Sequence, residues 1–478
     1  MKIIVAAILV VAVLLGISPY FIGSKLESSS QDYLSQYQFP GYQYSLEVDR
    51  GFRSSVYSYG ISMDPNFLAS AYSLTQDEID EITQLLEEIA LNVYVQHGPM
   101  LTQNGIGLGL ADMQLSVDAQ DFPALADYFE LIGVDRIFAA DGRLGFSGSG
   151  QAEFEIPAIE FENLESGFQS SFAGLTGETA IEDFGQYFST NGYSSGGSLS
   201  SAGIAEVALG AISFSSEIRM DEALPWFGVG QGEFLLDTFS VTALDQSGSI
   251  QDLAIAFAMA DGATPDTTSI EYSFGFGALE SDEISLADAE VLFAYENISK
   301  EAINNYMDLI MNLPLGDDQM MEAALMQFAL AELPSALALD PAFSVPRLSF
   351  THEDRTFEAS FRMAIDGQKL PTAVSLLRSD LLVPAVTAEL HLDADETLIN
   401  DILVWQAATS VDASFAQNPE LELTPEMRQT MIDQQASMSI GIAEAQGFLV
   451  RENGRIRTSL GLADRMLDIN GTAMPLPF

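Results

Sequence analysis

Three histidines, His97, His352 and His391, are the side chains of this sequence best suited to move a proton near neutral pH. None falls in an H-E-x-x-H pattern and no two share a helical turn, so a zinc site would need partners converging from distant segments. Their spacing reads as isolated surface or strand-end histidines. One local pattern suits nucleophilic chemistry: Gly192-Tyr-Ser194-Ser-Gly196 spells G-x-S-x-G. A nucleophile elbow needs a strand before the serine and a helix after it. Here Gly197-Ser-Leu-Ser-Ser follows, which reads as a flexible Gly/Ser loop. The glycine runs Gly105-Ile-Gly-Leu-Gly and Gly228-Val-Gly-Gln-Gly lack a following G-K-[ST] and read as strand glycines or turns, not phosphate cradles. Asp317-Asp318 and Asp393-Ala-Asp395-Glu396 lack EF-hand spacing, and Asp395 or Glu396 reads as the cap of a following helix. The chain has no cysteine, so disulfides, thiolate nucleophiles and Cys-based metal centres are excluded. No catalytic, cofactor-binding or metal-ligating residue is assigned, no cofactor is expected, and the chain does not read as an enzyme.

The elements around these residues are mostly strands. Tyr42–Asp49 and Ser55–Met63 alternate in character across Arg50-Gly51-Phe52 and predict a hairpin. Thr75 with Glu78 matches a capping box, and Ile79, Ile82, Leu85, Leu86 and Ile89 follow at helical spacing. Residues 105–299 are a succession of short alternating runs with Gly/Ser punctuation, which predicts antiparallel sheet. Helices return over 300–313 and 317–333, with Pro314, Pro334 and Pro341 as breaks, and again over 396–416 and 424–445. The apolar, Met-rich helices read as cover for a sheet; the competing reading is the lining of a groove for a hydrophobic ligand. Strands Arg347–Phe350, Phe357–Met363 and Ala385–His391 lie between them, and a hairpin about the Asn453-Gly454 turn closes the chain.

At the N-terminus, Ile3–Gly23 holds no charged residue. Some 20 residues at about 1.5 Å each span roughly 30 Å of hydrocarbon. Lys2 and the terminal amine precede the run and Lys25 follows it, a bias toward the amino end remaining in the cytoplasm. Tyr20 and Phe21 suit an interface better than a small-residue cleavage site, so an uncleaved anchor is favoured over a signal peptide. The 69 acidic against 18 basic residues give a net charge of −51, which repels nucleic acid. The carboxylates are spread along the whole chain and lysine is confined to Lys2, Lys25, Lys300 and Lys369, a pattern that reads as a surface suited to a salty exterior more than as a site for a basic partner.

Three ordered elements carry a family resemblance. Arg50-Gly-Phe-Arg-Ser-Ser55 follows the anchor, Gln96-His-Gly-Pro99 ends a strand, and the C-terminal hairpin runs through Glu452-Asn-Gly-Arg-Ile456, Asp468-Ile-Asn-Gly471 and Met474-Pro475. Together they resemble the YdgA-like family of bacterial envelope proteins, with a more distant likeness to the AsmA-like group, whose long curved sheets form grooves for lipid. The resemblance implies a bacterial inner-membrane protein with a single pass and its body in the periplasm. The expectation is an α+β, β-rich fold, an extended curved antiparallel sheet with several covering helices behind one N-terminal transmembrane helix. The divisions are an anchor at 1–25, a juxtamembrane segment at 26–40, and a body at 41–478 with helical insertions near 75–90, 300–333 and 396–445. The expected role is an envelope protein that binds a lipid or other hydrophobic ligand; the alternative is a structural or protein-interaction module without ligand, its partner unidentified.

Overall fold

The computed structural model describes most of residues 24–476, leaving out 1–23, 32–41, 66–74, 122–128, 313–317, 371–377, 417–423, 477–478 and shorter stretches. The apolar run Ile3–Ile22, read above as the anchor, therefore lies outside the described residues. Among those described, no helix is long and apolar enough to cross a membrane. The chain divides into two compact units: residues 1–245 with 303–329, and residues 246–302 with 330–478.

In the first unit the strands are β1 (Tyr42–Arg50), β2 (Ser54–Met63), β3 (Ala90–His97), the short β4 (Met100–Leu101) and β5 (Gly107–Leu108), β6 (Ala111–Asp118), β7 (Arg136–Leu144) and β8 (Gly150–Ile156). There follow β9 (Ile159–Asn163), β10 (Phe168–Phe172), β11 (Leu175–Glu182), β12 (Tyr187–Ser194), β13 (Gly197–Ser201), β14 (Ala205–Leu209), β15 (Ile212–Asp221) and β16 (Leu224–Ala243). Every neighbouring pair is antiparallel, in the order β1-β2-β3-β6-β7-β8-β11-β12-β15-β16. The alternation seen in the sequence becomes two unlike faces: along β1, Tyr42, Tyr44, Leu46 and Val48 are sheltered while Gln43, Ser45, Glu47 and Asp49 are exposed.

A crease crosses this sheet. The pairs β8/β9, β10/β11, β12/β13 and β14/β15 are each one long strand broken by two residues, and the second halves pair in the order β9-β10-β13-β14-β16. The breaks fall at Pro157, Gly174, Gly196 and Gly210, side by side on successive strands. Ala173 N donates to Gly196 O at 2.8 Å and Gly210 N to Thr238 O at 2.6 Å, so the crease is hydrogen-bonded across its length. Gly196 has φ +97° and a Cβ there would lie 2.0 Å from Leu209 O, so only glycine fits. This corrects the reading of Gly197–Ser201 as a flexible loop: it is a strand, because β10 and β14 bond it on both sides.

The second unit repeats the principle with longer strands: β17 (Gln246–Asp261), β18 (Thr267–Ser281), β19 (Ser285–Ser299), β20 (Ala342–His352), β21 (Arg355–Ile365), β22 (Val386–Asp395), β23 (Val450–Glu452), β24 (Arg455–Ala463), β25 (Met466–Ile469) and β26 (Thr472–Pro475). Their order is β17-β18-β19-β20-β21-β22-β24-β25-β26, antiparallel throughout, with β23 beside β24 at the hairpin end. The hairpin turn at Asn453-Gly454 has φ of 55° and 77°, as its residue types require. The chain end is four strands, β23–β26, rather than a single hairpin.

Helices among the described residues include α1 (Gln76–Glu87), α2 (Lys300–Asn312), α3 (Asp318–Leu337), α4 (Ser379–Ala385), α5 (Glu396–Ala416) and α6 (Pro425–Ala445). The capping box at α1 forms: Thr75 N and Oγ1 donate to Glu78 at 2.8 and 2.7 Å. Thr424 Oγ1 accepts from Met427 N at 3.2 Å and caps α6, with Pro425 in the first turn. Three expectations fail locally. Pro334 does not end α3, which runs on to Leu337. The strand expected from Ala385 forms as β22, with α4 just before it. Asp395 does not cap α5; its carboxylate accepts from Thr356 N at 3.1 Å instead. Nor does α3 serve mainly as cover, since Met320, Met326 and Leu330 are all more than half exposed. α5 and α6 pack on each other through Ala407, Val411, Ile432 and Ala436.

The polar face of the first unit aligns like charges. Asp141 lies opposite Glu153, and Glu153 opposite Glu178, on three neighbouring strands. Carboxylates facing each other across a sheet repel. Raising NaCl from about 0.1 to 1 M shortens the screening length from about 10 to 3 Å. The melting temperature of the chain should therefore rise with salt, and the rise should be smaller in Glu153→Gln, measured by circular dichroism.

Candidate functional site

The feature with the greatest extent is the sheltered face itself. In the first unit one unbroken register row crosses ten strands: Val48, Tyr57, Val93, Leu115, Ala140, Phe154, Gly177, Gly192, Phe214 and Phe234 stand directly opposite one another in turn. All ten are apolar, aromatic or glycine. Nine steps of about 4.8 Å make a track about 43 Å long, running across the strands. The two glycines leave room for rings: a Cβ on Gly177 would lie 2.3 Å from the Phe154 ring, and one on Gly192 would lie 2.4 Å from the Phe214 ring. Phe138, Phe154 and Phe214 stack in sequence with centroids 6.3 and 6.4 Å apart. Each such pair adds about 0.5–1.5 kcal/mol beyond area burial.

The second unit has its own row, Ile255–Phe274–Val291–Leu348–Ala359–Leu392, and beside it Phe257–Tyr272–Phe293. Here the face is open. Ile255, Phe257, Tyr272, Phe274, Phe293 and Leu348 are each 37–49% exposed. Contiguous apolar exposure of this kind marks interaction surfaces. The opposite face of the same strands carries ion pairs: Arg347 with Glu290 at 2.9 Å, Arg362 with Glu296 at 2.6 Å, and Arg457 with Asp393 at 2.9 Å.

Two of the motifs singled out in the sequence meet at the β2–β3 edge. Arg53 O accepts from His97 N at 2.7 Å, and Arg53 Nη2 donates to Met100 O at 3.3 Å. Between them Ser55 Oγ lies 3.1 Å from His97 Nε2. His97 is therefore not an isolated strand-end residue; it is fully buried, as is Ser55. A serine beside an imidazole is the geometry of an activated nucleophile. Both lie on the apolar face with Tyr57, Val95 and Ala111, closed to solvent. Asp112 on the neighbouring strand faces Gln96 in the register and so projects to the other side. Burial pushes the Tyr57 hydroxyl up to about 12, reinforced by Glu27 and Tyr59, while a hydrogen bond with Ser55 and the charge of Arg50 pull it back. The result is a buried hydrogen-bonded network that ties β2 to β3. The peptide after His97, Gly98–Pro99, is cis.

Sequence reasoning missed the charged clasp behind this edge. Arg143 Nε donates to Asp112 Oδ1 at 2.6 Å and its Nη2 to Oδ2 at 3.0 Å, while Asn104 N also donates to Oδ2 at 3.2 Å. Arg143 further binds Asn104 O and Gly105 O, so the loop after β4 folds over the pair and buries Asp112 completely. Burial by itself would raise the Asp112 carboxyl; hydrogen bonds from Arg143 and from the Asn104 and Gln103 amides, with the Arg143 charge, outweigh it and hold it below the usual carboxylate range. The only sequence signal was one basic residue placed in a strand of a chain poor in them.

The remaining residues fall apart from each other. Ser194 is buried in the crease, where its Oγ accepts from Gly196 N at 3.1 Å, a turn contact and not a nucleophile elbow. His352 Nδ1 lies 2.6 Å from Ser285 O at the end of β20. His391 sits mid-strand on the polar face of β22, in a cleft of about 680 Å³. Among the described residues no three His, Asp or Glu side chains are arranged to hold a metal ion.

A family model described as a bacterial protein of unknown function (DUF945) matches residues 1–477. The chain belongs to this family. No curated protein and no solved structure matches it.

Because the Asp112 carboxyl is held low in the fold, its stabilisation is present above its unfolded value near 3.9 and is lost as pH falls through the folded value. Asp112→Asn should cost about 1.5–3 kcal/mol at pH 7 and flatten the loss of stability below about pH 4, as read from urea unfolding at a series of pH values.

Proposed function

We propose that this member of the family is a non-enzymatic envelope protein that shelters a lipid or other hydrophobic chain on the apolar face of its sheets. The observation that carries the reading is the set of in-register apolar rows, one spanning ten strands in the first unit and two side by side in the second that leave six large side chains 37–49% exposed. An elongated apolar molecule lying across the strands would meet side chains at every step of about 4.8 Å and would need no hydrogen-bonding partner. The role as a shelter fits the likeness to YdgA-like proteins and the one-sided sheet expected of an AsmA-like groove. In this reading the apolar Ile3–Ile22 segment tethers the body to the bacterial inner membrane and the body stands in the periplasm. The net charge of −51 supports a neutral or apolar ligand over an anionic surface as the bound species.

A second reading, a protein-interaction module, draws on the α5–α6 hairpin. Trp405 is 69% exposed, and Met427, Met431, Met438 and Ile442 form a stripe on the outer side of α6. Methionines on such a stripe adapt to a partner's shape.

Native mass spectrometry and lipid extraction of the full chain, purified in mild detergent, distinguish the two. A co-purifying lipid is expected, and Phe274→Glu with Phe293→Glu should release it while leaving the far-ultraviolet circular dichroism unchanged. A wild-type chain carrying no enriched lipid would sink the first reading, and a reproducible cross-link from the α6 stripe to a single envelope protein would favour the second.

A further inference from the structure

We propose that the cleft on the polar face of the second unit binds a neutral polyhydroxylated ligand, a glycan unit of one or two sugar rings. It goes beyond the apolar-ligand reading and rests on the opposite face of the sheet. The cleft, about 680 Å³, falls within the roughly 300–1,000 Å³ of small-molecule sites. Its floor is a single register row in which Ser360 faces His391 and His391 faces Ser459. Opposed side chains on a sheet have Cβ atoms about 4.5–5.5 Å apart, close enough for one small ligand to reach all three. One wall is the Pro346-Arg347 bulge, where the β20–β21 register shifts between Val345 and Leu348. The other is Val450 at the start of β23 together with Asn470, whose Oδ1 accepts from Ser459 N at 2.7 Å.

The chemistry of the lining selects the ligand class. Among the described residues, the side chains of Ser360, His391, Ser459 and Glu358 make no hydrogen bond, whereas the charges around them are already matched. Asp393 is taken by Arg455 and Arg457, Arg457 also by Glu452, and Arg347 by Glu290. An anion would meet Glu358 and arginines with no charge to spare. A cation would meet one uncommitted carboxylate, too few for a metal. An apolar ligand would strand the floor hydroxyls and imidazole. A polyol matches them, because each of its hydroxyls both donates and accepts.

The chain has only three histidines, so imidazole signals in a ¹H–¹³C spectrum report on this cleft directly. The full chain, in a detergent without a sugar headgroup, is titrated with maltose, cellobiose and chitobiose, and separately with inorganic phosphate. The signal that disappears in His391→Gln should shift saturably with at least one disaccharide, while the other two stay still. Ser360→Ala and Ser459→Ala, both at partly buried positions, should each weaken that binding about tenfold. Movement with phosphate and not with any sugar would overturn the proposal in favour of an anion site. A His391 signal that no disaccharide moves would also overturn it. Lipid bound to the chain is scored in the same samples, so loss of the sugar site and loss of the apolar site are read separately.

Discussion

Everything in both units depends on strand register. A side chain in a strand points to one face or the other, and a slip of one residue exchanges the faces. In β11 such a slip would carry Glu178 into the row that now holds Gly177, and Gly177 into the row of carboxylates. Where paired strands are consecutive hairpins, tight turns hold the register. Asp183 and Phe184, Glu353 and Asp354, Asn453, Asp464 and Arg465, and Asn470 all take positive φ at the ends of paired strands. Several are aspartate or asparagine, which tolerate that conformation at modest cost. The acidity of the chain and the precision of its pairing thus share residues.

The apolar row imposes a second demand, on volume. Ten strands in register place ten side chains in one line, and if all were large they would crowd at this spacing. The row alternates bulk and absence instead: Phe154 lies over Gly177 and Phe214 over Gly192. The rings lie over backbone, stack with one another, and form a low floor rather than a row of projecting knobs. The crease at Pro157, Gly174, Gly196 and Gly210 then bends that floor without breaking its hydrogen bonds. Glycine content that looks like loop composition in the sequence is the means by which a sheet this wide is both paved and folded.

This explains what could and could not be read from the residues. Alternation in Tyr42–Asp49, the capping box at Thr75 and Glu78, and the Asn453-Gly454 turn are local, and each appears in the structure as its chemistry dictates. Gly197–Ser201 has no strand propensity of its own; it is a strand because β10 and β14 bond it on both sides, which no local pattern encodes. Pro334 was read as a break, yet it lies inside α3 and Ser335 Oγ bonds Glu332 O in the turn beside it. Ser55 with His97 and Asp112 with Arg143 are separated by 42 and 31 residues, and only the register brings each pair together. The His391 floor is the same case, since Ser360 and Ser459 are ordinary serines until β21 and β24 flank β22.

The two faces also constrain what can approach them. An apolar surface left open on a soluble body normally invites association with another copy. Here each copy carries a net charge of −51, and the carboxylates of the polar face stand in rows such as Asp141, Glu153 and Glu178. Two such bodies repel before their apolar faces can meet, and the repulsion grows as salt falls. A neutral chain-like molecule feels none of that field. In the proposed reading it would gain the burial of rings such as Phe274 and Phe293 and cost no desolvation of charge. The acidity that reads in the sequence as mere solubility would, in the proposed reading, also act as a filter that disfavours self-association and leaves the open apolar rows to small uncharged ligands.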